Sequence, residues 1–176
     1  MRACILLLLL MLRFVSAETI FSEDFSSGLS QWEHPWGEAG IIDGELRLKS
    51  SVPVDAEHTF SALLLAGEQS WDNYKFSVRM KTTEQLRGIA PRPWEVGWVF
   101  FRYTNLTNYY WFILKPNGVE LGKKQGTVDA QQFLVTKEIP RLELGRWYTV
   151  DVTLAGNRIG ISVDGEKVID YTDAEP

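Results

Sequence analysis

The sequence predicts an all-β protein, an antiparallel β-sandwich or jelly roll. Three observations predict it. No window of residues 18–176 sustains a helical period. Short runs rich in β-branched and aromatic residues recur instead, bounded by Gly, Pro, Asn and Asp. In the second half, Asn117-Gly118, Gly156-Asn157 and Asp164-Gly165 stand between consecutive runs and supply the positive φ that tight hairpins need.

The runs follow in order. Ile20 to Phe25, Glu45 to Lys49 and Thr59 to Leu65 are expected as the first strands. From Tyr74 to Thr82, Tyr74, Phe76, Val78 and Met80 alternate with Lys75, Ser77, Arg79 and Lys81, the mark of a strand with one wet face. Val96 to Tyr103 and Tyr109 to Lys115 are aromatic on both faces. Strict alternation puts Trp98, Phe100 and Arg102 on one side of the first, and Tyr109, Trp111 and Ile113 on one side of the second. Val119 to Lys124, Trp147 to Leu154, Arg158 to Val163 and Lys167 to Tyr171 complete a meander of ten strands. Glu84 to Trp94, with two prolines, is the least regular stretch and is expected to be a loop.

Residues 1–17 read as a secretory signal peptide. Arg2 gives a positive start, Ile5 to Leu12 is an unbroken apolar run, and Val15-Ser16-Ala17 has the small residues of a cleavage site. The run falls short of the ~20 apolar residues that span a bilayer. The expected product is therefore a secreted protein, extracellular or periplasmic, with one sandwich domain over residues 18–176. Removing Arg2 and Arg13 takes the net charge from −5 to −7, and the lone cysteine, Cys4, leaves with the peptide. An acidic chain without a basic run is a poor partner for nucleic acid. One cysteine and two histidines, His34 and His58, exclude a Cys/His zinc centre.

Several chemistries lack their residues. There is no Gly-x-Ser-x-Gly elbow and no Gly-rich phosphate loop opening a helix. No strand carries alternating Glu and Asp, which would set carboxylates about 5 Å apart on one face. Asp43 and Glu45 flank Gly44 in an expected turn, and Asp151 stands alone.

Aromatic platforms with polar rims suit sugars, whose rings offer apolar C–H faces and a fringe of hydroxyls. The candidate ligand-binding residues are Trp36, Arg92, Trp94, Trp98, Arg102 and Trp111, with His34 as a further wall. Trp36 and Trp94 are placed in loops, where packing explains an indole less well. The strand tryptophans have core as their competing role. Arg102 has an ion pair as its competing role. Asn105-Leu106-Thr107 is an N-glycosylation sequon in an expected hairpin loop.

The ordered set Phe21-Ser22-Glu23-Asp24-Phe25 with Trp32, Asp43-Gly44-Glu45-Leu46, Trp71-Asp72-Asn73-Tyr74, Gly97 to Tyr103, Asn108-Tyr109-Tyr110, Gly145-Arg146-Trp147-Tyr148 and Ile161 to Gly165 resembles the concanavalin A-like jelly rolls. The nearest resemblance is to laminin-G-like and DUF1080-type (3-keto-disaccharide hydrolase) domains. It implies a carbohydrate or polysaccharide partner, a structural Ca2+ with Asp24 as a ligand, and a functional Arg102. Such domains usually end with a further strand beside the first, so a truncated chain is expected, lacking its last strand. Three functions are open to this fold. The first is a secreted, non-catalytic glycan-binding module. The second is a glycoside hydrolase or polysaccharide lyase, DUF1080-type or like the family-16 hydrolases. The third is a laminin-G-like adhesion module that binds protein.

Overall fold

The computed structural model describes residues 18–55, 57–88, 90–127 and 131–176. The expected signal peptide, residues 1–17, lies outside the described residues. Twelve strands form among them: β1 Glu33–Trp36, β2 Glu38–Ile42, β3 Glu45–Lys49, β4 Leu63–Leu65, β5 Lys75–Met80, β6 Trp98–Asn105, β7 Asn108–Lys115, β8 Gly118–Gln125, β9 Gln131–Lys137, β10 Tyr148–Ala155, β11 Arg158–Val163 and β12 Glu166–Thr172. No described residue is helical.

Two four-stranded antiparallel sheets make the sandwich. One has the order β12-β11-β10-β5, the other β6-β7-β8-β9, and β1-β4 and β2-β3 form two small pairs. Alternation decides which side chains meet between the layers. Tyr148, Val150, Val152 and Leu154 of β10 join Ile159, Ile161 and Val163 of β11. Against them pack Phe101 of β6, Tyr110, Phe112 and Leu114 of β7, and Val119 and Leu121 of β8. Each such side chain contributes about 1.5–3 kcal/mol on burial, which suits a core with no disulfide.

The turn signals act as expected. Asp43 and Gly44 both have positive φ between β2 and β3, as do Asp164 and Gly165 between β11 and β12. The expected loop between Glu84 and Trp94 contains no strand among its described residues.

Three expectations are corrected. Residues 20–25 form no strand, because the Glu23 carboxylate takes the place of a ladder partner. Its Oε1 accepts the Phe25 N–H at 2.7 Å and its Oε2 accepts the Trp32 indole N–H at 3.2 Å. The 59–65 run shortens to β4, and the carbonyl of His58 just before it binds the Arg87 guanidinium instead of a strand. Trp36 and His34 lie in β1 rather than in a loop. Pro35 had hidden that strand, and the register of β1 on β4 is irregular, as an edge strand with proline allows. β2 and β9 also form, outside the runs expected from the sequence.

The most consequential departure is at Arg102. Its φ is +48°, and the β6–β7 register shifts between Phe101 and Asn105. This bulge ends the alternation, so Arg102 does not share a face with Trp98 and Phe100. Tyr103 takes the place beside Phe100 instead, with ring centroids 6.5 Å apart.

Candidate aromatic binding face

The outward face of the β6–β9 sheet follows from register. One cross-strand row is Trp98, Ile113, Glu120 and Thr136; the next is Phe100, Trp111, Gly122 and Phe133. Gly122 leaves room for the Trp111 indole, which sits where a side chain at 122 would lie. The rings form one connected strip. Trp98 lies 5.8 Å from Trp111, Phe100 packs edge-on against Tyr109 at 5.0 Å, Tyr103 stacks on Tyr109 at 5.7 Å, and Trp111 meets the edge of Phe133 at 6.1 Å. Lys124 holds its ammonium 5.9 Å from the Tyr109 ring. Burial pushes the Tyr103 and Tyr109 hydroxyls up from their usual range.

Trp111 is fully buried and supports the strip from beneath rather than offering a stacking face; its indole N–H has no acceptor among the described residues. Phe133, by contrast, is 62% exposed and Trp94 43%. Trp98 is half-buried, and its indole N–H donates to the Trp94 carbonyl at 2.8 Å. That bond ties the Trp94 turn to the strip. The Arg92 guanidinium lies 5.4 Å over the Trp94 ring. Trp94, Arg92, Trp98 and Trp111 are thus brought together.

The loop that carries Trp94 is held by a pair the sequence did not single out. Arg87 and Glu95 form an ion pair at 2.5 Å, both side chains mostly buried. Glu95 also accepts the Arg92 backbone N–H at 2.9 Å. The Arg87 guanidinium and that N–H hold the Glu95 carboxyl below its usual range, against the opposing effect of burial. Arg87 reaches on to the carbonyls of Asp55 at 2.5 Å and His58 at 2.9 Å, fastening a second loop to the first. There, His58 Nδ1 lies 2.7 Å from Asp55 Oδ2 on the surface. Hydrogen bonds from His58 hold the Asp55 carboxyl below its usual range.

Trp36 stands apart from the strip, and Arg102 meets it only at its end, where it lines a small cleft with Tyr109 and Lys124. Trp36 is 37% exposed and donates its indole N–H to Ser61 Oγ at 3.0 Å, without ring contact to the strip among the described residues. Arg102 is a clamp. Its Nη2 donates to the carbonyls of Asp72 at 3.1 Å and Gly156 at 2.5 Å and lies 3.2 Å from Asp72 Oδ1. Its own N–H donates to the Tyr74 hydroxyl at 3.1 Å. The competing ion-pair role describes it.

Asp24 is exposed, and one of its oxygens accepts the Ser26 N–H at 2.9 Å. Calcium takes six to eight oxygen ligands. Among the described residues no three His, Cys, Asp or Glu side chains converge as a metal site. Asp24 therefore does not fit as the centre of a carboxylate-built calcium site. Asp151 faces outward between Ser77 and Ser162, with no acid directly opposite on either neighbouring strand.

The model of the 3-keto-alpha-glucoside-1,2-lyase-like domain matches residues 17–176. The chain belongs to that family. It is also 28% identical over 160 residues to an extracellular exo-alpha-L-arabinofuranosidase of Streptomyces chartreusis, covering 90% of this chain. The chain spans only 18% of that relative's length. Among solved structures, a carbohydrate binding module, CBM66, from Bacillus subtilis superposes with a TM-score of 0.62 at 15% identity, over 83% of this chain and 81% of that one. At that identity the likeness concerns the fold alone, an all-β sandwich as the sequence predicts. No helix among the described residues is long and apolar enough to cross a membrane.

Proposed function

We propose that the domain is a secreted, non-catalytic glycan-binding module that stacks sugar rings on Trp94 and on the strip of Trp98, Phe100, Tyr109 and Phe133. The carrying observation is that this strip lies on the outward sheet face with Phe133 and the adjoining Trp94 open to solvent. Stacking there needs no rearrangement, because Trp111 already fills the space beneath. The structurally similar CBM66 is a carbohydrate binding module, and the similar sequence is an extracellular arabinofuranosidase that this chain matches over a small part of its length. Both support the reading, as does the pattern of residues 1–17.

Affinity electrophoresis and calorimetry against a polysaccharide panel, arabinan included, test it. Retention by at least one polysaccharide is expected. Trp94→Ala should weaken it about twofold to twelvefold, the size of an aromatic contact worth about 0.5–1.5 kcal/mol. Unchanged binding in Trp94→Ala and Phe133→Ala would remove the strip from the site.

A second reading, a lyase or glycoside hydrolase, is favoured by one observation besides the family. Asp55 engages one nitrogen of the exposed His58, an arrangement that orients a histidine as a proton acceptor. Release of unsaturated product or reducing sugar from the same panel, abolished in His58→Gln, would establish it. Absence of either product would leave the binding module.

A further inference from the structure

Beyond the aromatic strip, the outward face of the same sheet carries a charged pair inside its fold. Lys115, at the end of β7, and Glu120, early in β8, sit across the hairpin, with Nζ 2.7 Å from Oε2. Both side chains are about nine-tenths buried. A buried ion pair is rarely a stabilising device, since apolar residues of the same volume usually serve as well or better. An ammonium also has three N–H donors. Glu120 accepts one, and no other protein acceptor engages Lys115 among the described residues.

Lys115 lines an open groove of about 480 Å³, within the range of small-molecule sites. Asn117, Thr136, Lys137, Glu138 and Arg141 form the rest of its wall. Glu120 and Thr136 belong to the Trp98 row, so the groove lies on the sheet that carries the aromatic strip. A sugar hydroxyl both donates and accepts, so it takes a remaining N–H of Lys115 and gives its own proton to the Asn117 or Glu138 side chain on the same wall.

We propose that this groove is a second saccharide subsite, one that recognises sugar hydroxyls through Lys115, Asn117 and Thr136 instead of ring faces. It rests on the carbohydrate reading above, and the strip and the groove are separable by experiment. Amide and indole signals of the 15N-labelled protein are followed by NMR during titration with methyl glycosides of arabinofuranose, fructofuranose, glucose and galactose. Saturable shifts at Asn117, Thr136 and Lys137 are expected with at least one glycoside. The Lys115→Met/Glu120→Leu double variant, which keeps volume and removes both charges, should weaken those shifts at least tenfold and leave the Trp94 and Trp98 indole responses in place. If that variant does not fold, Thr136→Val and Asn117→Ala on the rim should each weaken the groove shifts severalfold. Indole shifts without groove shifts would overturn the subsite and keep the binding module. Silence at both, with every glycoside, would overturn both. Groove shifts that survive the double variant, or that survive both rim variants, would also overturn the subsite.

Discussion

Trp111 occupies the space that a side chain at Gly122 would fill, directly across the β7–β8 pairing. The glycine is there for the indole, and the indole is the floor under Trp98, Phe100 and Phe133. Gly122→Ala should therefore displace the ring and cost about 1–3 kcal/mol, the usual penalty for overpacking. Denaturant unfolding with tryptophan emission as the probe measures it. A variant as stable as the parent, with the same emission maximum, would mean that the face tolerates a raised indole.

Arg102 is expected to matter for stability and not for ligand. Its guanidinium joins two loops through charge-assisted bonds of the kind worth about 1.5–3 kcal/mol each. Arg102→Ala should lower the unfolding free energy by about 2 kcal/mol or more while glycan affinity stays within twofold. A selective loss of affinity at unchanged stability would return Arg102 to the site that the family resemblance implies.

The Arg87–Glu95 pair sets the Trp94 turn, so its loss should be felt twice. Arg87→Met leaves the largely covered Glu95 carboxylate without its partner and should lower stability. The double variant Arg87→Met/Glu95→Leu should recover much of that stability. Binding through Trp94 should remain impaired, because the loops at Asp55 and Glu95 are no longer fastened. Comparing melting with binding for the two variants separates the effects.

Asp173 gives a pH dependence of known sign. It is buried, and its Oδ2 accepts from the Tyr110 hydroxyl at 2.7 Å and from the Lys123 ammonium at 2.8 Å. Burial pushes its carboxyl up, but Lys123, the Glu175 N–H and Tyr110 together hold it below its usual range. A depressed folded-state pKa contributes stability that is fully present above the unfolded value near 3.8 and is lost as pH falls through the folded one. The stability gap between the parent and Asp173→Asn should therefore be constant near neutrality and close below about pH 4. A gap that persists unchanged into acid would show that the carboxylate charge is not what the network uses.

Much of this was legible in the chain. The alternation from Tyr74 to Met80 and the turn dipeptides located β5 and the hairpins from β10 to β12. Tyr109, Trp111 and Ile113 were separated from Tyr110, Phe112 and Leu114 onto the faces they occupy. The Arg102 bulge was not legible, because a non-glycine residue at positive φ leaves no mark in a pattern of alternating types. Nor was the fate of Ile20 to Phe25, where a local carboxylate outcompetes a strand partner that propensity assumes. Phe133 lies in β9, where only Phe133-Leu134-Val135 are apolar between polar ends, and it becomes a strand because β8 offers it a ladder.

The sequence by itself determined the fold class, the hairpin sequence and the aromatic character of the two central strands. These depend on period and on backbone dihedrals, which neighbouring residues dictate. Only the tertiary structure decided which rings face solvent, that Trp111 supports while Trp94 presents, that Arg102 clamps, and that Lys115 meets Glu120 at a groove. Those outcomes depend on register between strands and on which loops an arginine can reach, and such long-range pairings are set by packing across the sheet rather than by spacing along the chain.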